Sequence, residues 1–141
     1  MSDSGRTAFP IIGEQLERCF SVTGETSLEV VAACRVPPDF SGFEGHFPGR
    51  PILPAFCIVR LCLAIAGRGV SFRPRLRTVT RSRFLVPIEP DTPFTVRVVR
   101  TAVPESGWKC RAVLTAGSAT AAEVRFTFDQ EEEGYNAASQ A

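Results

Sequence analysis

Histidine and lysine are each present once, as His46 and Lys109, and every other basic residue is arginine. A single imidazole is too few for a histidine-based zinc site. The five cysteines, Cys19, Cys34, Cys57, Cys62 and Cys110, are odd in number and include no Cys-x-x-Cys pair. Neither a disulfide framework nor a metal site is therefore expected, and no cofactor is implied. The thiols read as reduced and mostly buried in a cytoplasmic protein, with a reactive role open for Cys57 alone, near a helix N-terminus. The formal net charge is +1, which excludes a general nucleic-acid binder. No apolar run reaches the ~18–20 residues of a membrane span, and the polar segment Met1 to Thr7 lacks a signal-peptide core. Carboxylates are missing from one long stretch: there is no Asp or Glu from Gly45 through Ile88.

The length suits one compact domain, expected over residues 9–129, with disordered tails at 1–8 and 130–141. Phe9 to Phe20 is ambiguous, a short helix or turn leading into a strand. Ser27 to Val36 is β-branched and bounded by Gly24 and by Pro37-Pro38, so it reads as a strand. Pro37 to Pro54 is a long connection punctuated by Gly and Pro, whose phenylalanines argue for order and hence for function. Ala55 to Ala66 follows Pro54, stops at Gly67 and is apolar nearly all round, the pattern of a buried helix. Strands follow at about Arg75–Val86, Phe94–Val103, Trp108–Ala116 and Thr120–Phe128, separated by Pro/Gly/Asp turns. One buried helix with consecutive antiparallel strands predicts an α+β fold, a sheet wrapped around one long helix.

His46 stands in Gly45-His46-Phe47-Pro48-Gly49-Arg50-Pro51-Ile52-Leu53-Pro54, just before that helix. Histidine suits proton transfer near neutral pH. This segment resembles the active-site signature of the 3-hydroxyacyl-acyl-carrier-protein dehydratases, which have the hotdog fold. Arg83-Phe84-Leu85-Val86-Pro87-Ile88-Glu89-Pro90-Asp91 is similar to that family's KF-x-x-P-V-x-P-G-D strand and turn. The resemblance covers roughly Ser27 to Phe128. It implies removal of water from a 3-hydroxyacyl thioester in fatty-acid or polyketide-type biosynthesis. His46 would be the base for the C2 proton, and the backbone N–H groups at Ala55 and Phe56 would bind the thioester oxygen. Phe43, Phe47, Gly49 and Pro54 would shape the substrate site. Phe43, Phe47 and Phe56 are read equally well as plain core residues.

The family's catalytic carboxylate lies on the helix fourteen residues after the histidine, and here that position is Arg60. No shift of register recovers an acid. An arginine does not donate a proton, since its pKa exceeds ~12, but it holds anions well. Arg60 either faces the site or packs its stem and sends its head to an edge. Three readings stay open. The chain dehydrates by itself, using His46 alone or borrowing another acid, with Glu44 and Asp39 the nearest candidates; it is the histidine-bearing subunit of a hetero-dimer with a second hotdog protein; or it is an acyl-thioester binding module without the original chemistry. The partners implied are an acyl carrier protein or coenzyme A thioester and a second subunit, identical or not, with no nucleic acid and no membrane. Finally, Arg73, Arg75, Arg77, Arg81 and Arg83 alternate along a predicted strand. They would share one face, either as a carrier-protein docking stripe or as an ordinary solvated surface.

Overall fold

The computed structural model describes residues 9–44 and 49–130. Residues 1–8, 45–48 and 131–141, and with them His46, Phe47 and nearly all of both expected tails, lie outside the described residues.

The ambiguous N-terminal stretch resolves into helix α1, Phe9–Glu17, followed by strand β1, Phe20–Glu25. Ile12 and Leu16, four residues apart, form the buried stripe of α1. Strand β2, Glu29–Cys34, comes from the β-branched run. Helix α2 occupies Ala55–Ala66, where Pro54 as N-cap and Gly67 as C-cap set its limits. Strands β3, Pro74–Phe84, β4, Phe94–Val103, β5, Gly107–Ala116, and β6, Ala119–Gln130, complete the chain. The six strands form one antiparallel sheet in the order β1-β2-β4-β5-β6-β3. Helix α2 is only twelve residues long and packs on β2, β3, β4 and β6, while α1 packs beside α2, so the fold has two helices rather than one long one.

Alternation along the strands separates two faces. In β4, Phe94, Val96 and Val98 are buried while Thr95, Arg97 and Val99 are exposed. The buried face meets Cys57, Ile58, Leu61, Cys62, Ile65 and Ala66 of α2. That arrangement explains why α2 is apolar on most sides. Arg100 continues the inner face of β4 and is the one charged side chain buried among the described residues, 3 % exposed. Its guanidinium donates to Ala66 O and Arg68 O at 2.6 Å each, to Ser27 O at 3.1 Å and to Thr26 O at 3.3 Å. It thus caps the C-terminus of α2, where the helix dipole favours a cation. It also ties that end to the β1–β2 turn. Trp108 covers it at 5.6 Å and stacks on Phe128.

Strand β3 departs from simple alternation. Its pairing with β6 slips once between Leu76 and Thr78 and again between Val79 and Arg81. Each β-bulge adds one residue, and two together restore the original phase. Arg75, Arg81 and Arg83 therefore do share the outer face, opposite Asp129, Arg125 and Glu123, while the odd-numbered Val79 turns inward opposite Phe126.

The cysteines are all free and buried. Burial pushes the Cys57 thiol up to about 11, and Cys34 and Cys110 up to about 12, from an ordinary 9.0. In the unfolded chain these thiols ionise near pH 9, whereas the fold keeps them neutral. Stability is therefore independent of them below pH 9 and falls as pH rises from 9 to about 12. The urea midpoint is expected to drop between pH 7.5 and pH 10, and Cys34→Ala/Cys110→Ala should flatten that slope. Replacing Arg100 by leucine strands the carbonyls of Ala66, Arg68, Ser27 and Thr26. A loss of about 2–4 kcal/mol is expected in urea titration, with Arg100→Lys recovering only part because an ammonium cannot span the same fork.

Candidate active site

Two loops meet at the N-terminus of α2. Leu53 N–H donates to Ile88 O at 2.8 Å, and Asp91 N–H donates to Val36 O at 2.8 Å. These bonds stitch the histidine-bearing connection to the 85–92 turn, so the two motifs that are distant in sequence become neighbours. Ile88 is buried beneath them. Asp91 adopts a left-handed backbone, φ 63°, at the place where the quoted motif has glycine. Asp tolerates that conformation better than most residues.

The connection itself is anchored on α2. A 3-10 turn, Ser41–Phe43, sets Gly42 against the helix, where a Cβ would lie 2.9 Å from Cys57 Sγ and would also strike the Phe40 ring. Only glycine permits this approach. Gln15 Oε1 of α1 accepts from Ser41 N–H at 2.9 Å. Phe43 is buried in the core, edge-on to Phe40 at 5.4 Å. Glu44 closes the turn through Ser41 O and is exposed, as is Asp39. The chain is described again from Gly49, exposed with φ 82°.

At the start of α2, Pro54 is buried, and its carbonyl accepts from Cys57 and Ile58 N–H. Ala55 N–H has no acceptor among the described residues, as the first turn of a helix leaves it. The Phe56 ring is 38 % exposed beside it. Burial raises the Cys57 thiol, although the Arg60 guanidinium acts in the opposite direction. It is thus a neutral thiol near pH 7, which argues against a nucleophile. Arg60 is half-buried on α2. Its Nη2 fills the notch left by Gly13 on α1, 2.7 Å from where a Cβ would sit. The arginine that replaces the expected acid thus directs its head across α1.

The stripe residues are heavily ion-paired. Asp129 accepts from Arg75 at 3.0 Å and lies 3.7 Å from Arg77. The Arg75 hydrogen bond holds the Asp129 carboxyl below the usual range. Glu123 lies between Arg83 and Arg111 at 3.7 and 3.6 Å. Arg73 is exposed just before β3. A shallow hollow of about 580 Å³ opens elsewhere, near Thr95, Arg97, Val113 and Thr115. These side chains are on the outer face, away from α2, and Arg97 there is bound to Glu29 at 2.6 Å. Among the described residues no group of His, Cys, Asp or Glu is arranged to hold a metal, and no helix is long and apolar enough to cross a membrane.

Sequence reasoning missed two features. Arg100 gave no signal, because its partners are carbonyls from two segments remote in sequence, Thr26–Ser27 and Ala66–Arg68. The apolar inner side of β3 was legible in principle at Val79 and Phe84, but the arginines dominated the pattern.

The family model of the ApeI dehydratase, described as ApeI-like, matches residues 22–122. A 3-hydroxyacyl-acyl-carrier-protein dehydratase FabZ from Rhizorhabdus wittichii is 26% identical over 121 residues, covering 79% of this chain and 76% of the relative. Its namesake from a Thermoanaerobacter species is 29% identical over 99 residues, covering 65% and 70%. Among solved structures, the dehydratase heterocomplex ApeI:P from Xenorhabdus doucetiae superposes with TM-score 0.64 at 16% identity, over 78% of this chain and 95% of that one. A hypothetical thioesterase with coenzyme A from Streptococcus pneumoniae gives 0.66 at 13% identity, over 88% and 97%. These two share the fold. With both motifs inside the matched span and the sheet enclosing α2 as their fold requires, the chain belongs to the ApeI-like dehydratases, a hotdog family related to the 3-hydroxyacyl-acyl-carrier-protein dehydratases.

Proposed function

We propose that the protein acts on 3-hydroxyacyl thioesters, carried by an acyl carrier protein or coenzyme A, and converts them to trans-2-enoyl thioesters with loss of water. The observation that carries this reading is the family match across a span that holds His46 in its full Gly/Pro setting, ahead of a helix whose first N–H, at Ala55, has no acceptor among the described residues. The imidazole of His46 takes the C2 proton, whose acidity the thioester carbonyl supplies. As the enolate forms, its oxygen is held by the N–H groups at Ala55 and Phe56, at the positive end of the α2 dipole. The 3-hydroxyl then departs with a proton. Phe43, Phe47, Gly49 and Pro54 shape the acyl path, and the apolar core of α2 excludes water from it.

The proton for the leaving hydroxyl is the weak point of a self-contained site. With Arg60 in the acid's place, the imidazolium of His46 must return the proton it took. Loss of a general acid typically costs ~10²–10⁴-fold. A two-subunit reading is favoured by the absence of any carboxylate from Gly45 through Ile88, and the Xenorhabdus doucetiae neighbour is itself described as a heterocomplex. In that arrangement this chain supplies His46 and the second hotdog subunit supplies the acid. Arg60 then orients a carboxylate or carries anionic substrate rather than moving a proton.

The purified chain, alone and with a candidate second subunit, is to be assayed for hydration of a short 2-enoyl thioester. His46→Ala is expected to reduce the rate by at least ~10²-fold in whichever preparation is active. Arg60→Glu should raise the rate of the chain alone, and no gain there would remove Arg60 from the site. Saturable acyl-carrier binding that His46→Ala leaves unchanged, with no turnover in any mixture, would make the protein a binding module.

A further inference from the structure

We propose that Arg60 is a specificity residue that selects acyl thioesters whose chain ends in a second, free carboxylate. This inference rests on the thioester reading above and names the substrate class of that site. Gly13 supplies the first observation. It lies in the middle of α1 and has no positive φ, so no backbone conformation calls for it. Glycine inside a helix is unfavourable relative to alanine. What it provides is room. A Cβ there would sit 2.7 Å from Arg60 Nη2 and 3.9 Å from the guanidinium carbon, and among the described residues no other element comes within 4 Å of that point. The helix is weakened at one position, and the guanidinium of Arg60 occupies the space this leaves.

The cation seated there has no counter-charge. Among the described residues no ion pair engages Arg60. Glu14 and Glu17, the acids of α1, are exposed and neither is paired with it. The stretch around α2 offers no acid either, since Asp and Glu are missing from Gly45 through Ile88. One turn to either side of Arg60 along α2 stand Phe56 and Cys57, then Leu63 and Ala64, all uncharged. An apolar track leading to one half-buried cation fits a hydrocarbon that ends in an anion. Phe56 and Arg60 share a face and are ~6 Å apart along the helix axis. A chain whose thioester oxygen meets the first N–H groups of α2 therefore needs only a short span to reach the guanidinium. A carboxylate suits it best, because its two oxygens match the planar fork and are held bidentately. Partial burial strengthens that bond relative to water. An uncharged chain of the same length would desolvate the guanidinium without pairing it, so Arg60 rejects as well as binds.

The probes are the N-acetylcysteamine monothioester of trans-2-pentenedioic acid and its distal methyl ester, an enoyl pair that carries no phosphate and differs only at the chain end. Binding is measured by calorimetry on the His46→Ala chain, which removes turnover, alone and mixed with the candidate second subunit. The acid is expected to bind at least ~10-fold more tightly than the ester, with the ratio shrinking as salt is raised to ~1 M. Arg60→Gln should bring the ratio close to one. Gly13→Ala displaces the guanidinium from its seat and should cut the ratio by at least ~3-fold, while the thermal midpoint holds or rises because alanine suits the helix. Equal binding of acid and ester overturns the proposal, as does a preference that outlives Arg60→Gln. A preference shown by the chain alone and lost on adding the second subunit assigns Arg60 to that subunit's carboxylate and overturns it too. The two levels fail separately. Acid and ester bound alike defeats only the role given to Arg60, whereas neither bound in any mixture defeats the thioester reading and this proposal with it.

Discussion

The buried guanidinium of Arg100 is the contact on which the rest of the arrangement depends. A short apolar helix inside a curved sheet has no sequence-local reason to hold one axial position, since apolar contacts are non-directional. Four carbonyl acceptors on Arg100, two just beyond or at the end of α2 and two in the β1–β2 turn, give that position a direction. With its C-terminus fixed to β4, the helix presents its N-terminus to the two motif loops. The same interaction satisfies carbonyls that burial would otherwise leave costly. Trp108, stacked on Phe128, shields it from water and keeps the charge in a setting where its bonds count for more.

At the other end, the site is built by close approach rather than by charge. Gly42 lets the 3-10 turn touch Cys57, and the Leu53–Ile88 and Asp91–Val36 bonds hold the loops on either side. The result is a helix start whose Ala55 N–H has no acceptor among the described residues, with the neutral Cys57 thiol close by and no carboxylate on α2. Arg60 fits this economy. Its head occupies the gap over Gly13, so the residue joins α1 to α2 whatever else it meets.

The outer surface obeys a different constraint. Two bulges in β3 cancel one another, keeping Arg75, Arg81 and Arg83 outward while turning Val79 inward. A strand therefore carries cations on one side and exposed apolar groups on the other, at the open end of the sheet.

Local signals in the sequence determined a good deal. Helix α2 is bounded where Pro54 and Gly67 predict, β4 runs from Phe94 to Val103 as its alternation predicts, and the Gly/Pro spacing around His46 marked the family. The missing acid was likewise readable, because an absence over Gly45–Ile88 does not depend on conformation. What only tertiary structure decided are the pairings between distant segments. Bulges come from the register of β3 on β6, the ion pairs from which acids β6 brings alongside, and the direction of Arg60 from a notch on α1. Arg100 reads as one more basic residue in a strand until the ends of α2 and β1 converge on it. Period and punctuation are properties of neighbours along the chain, whereas register, capping by remote carbonyls and close approach at glycine are fixed only when separate segments share the same space.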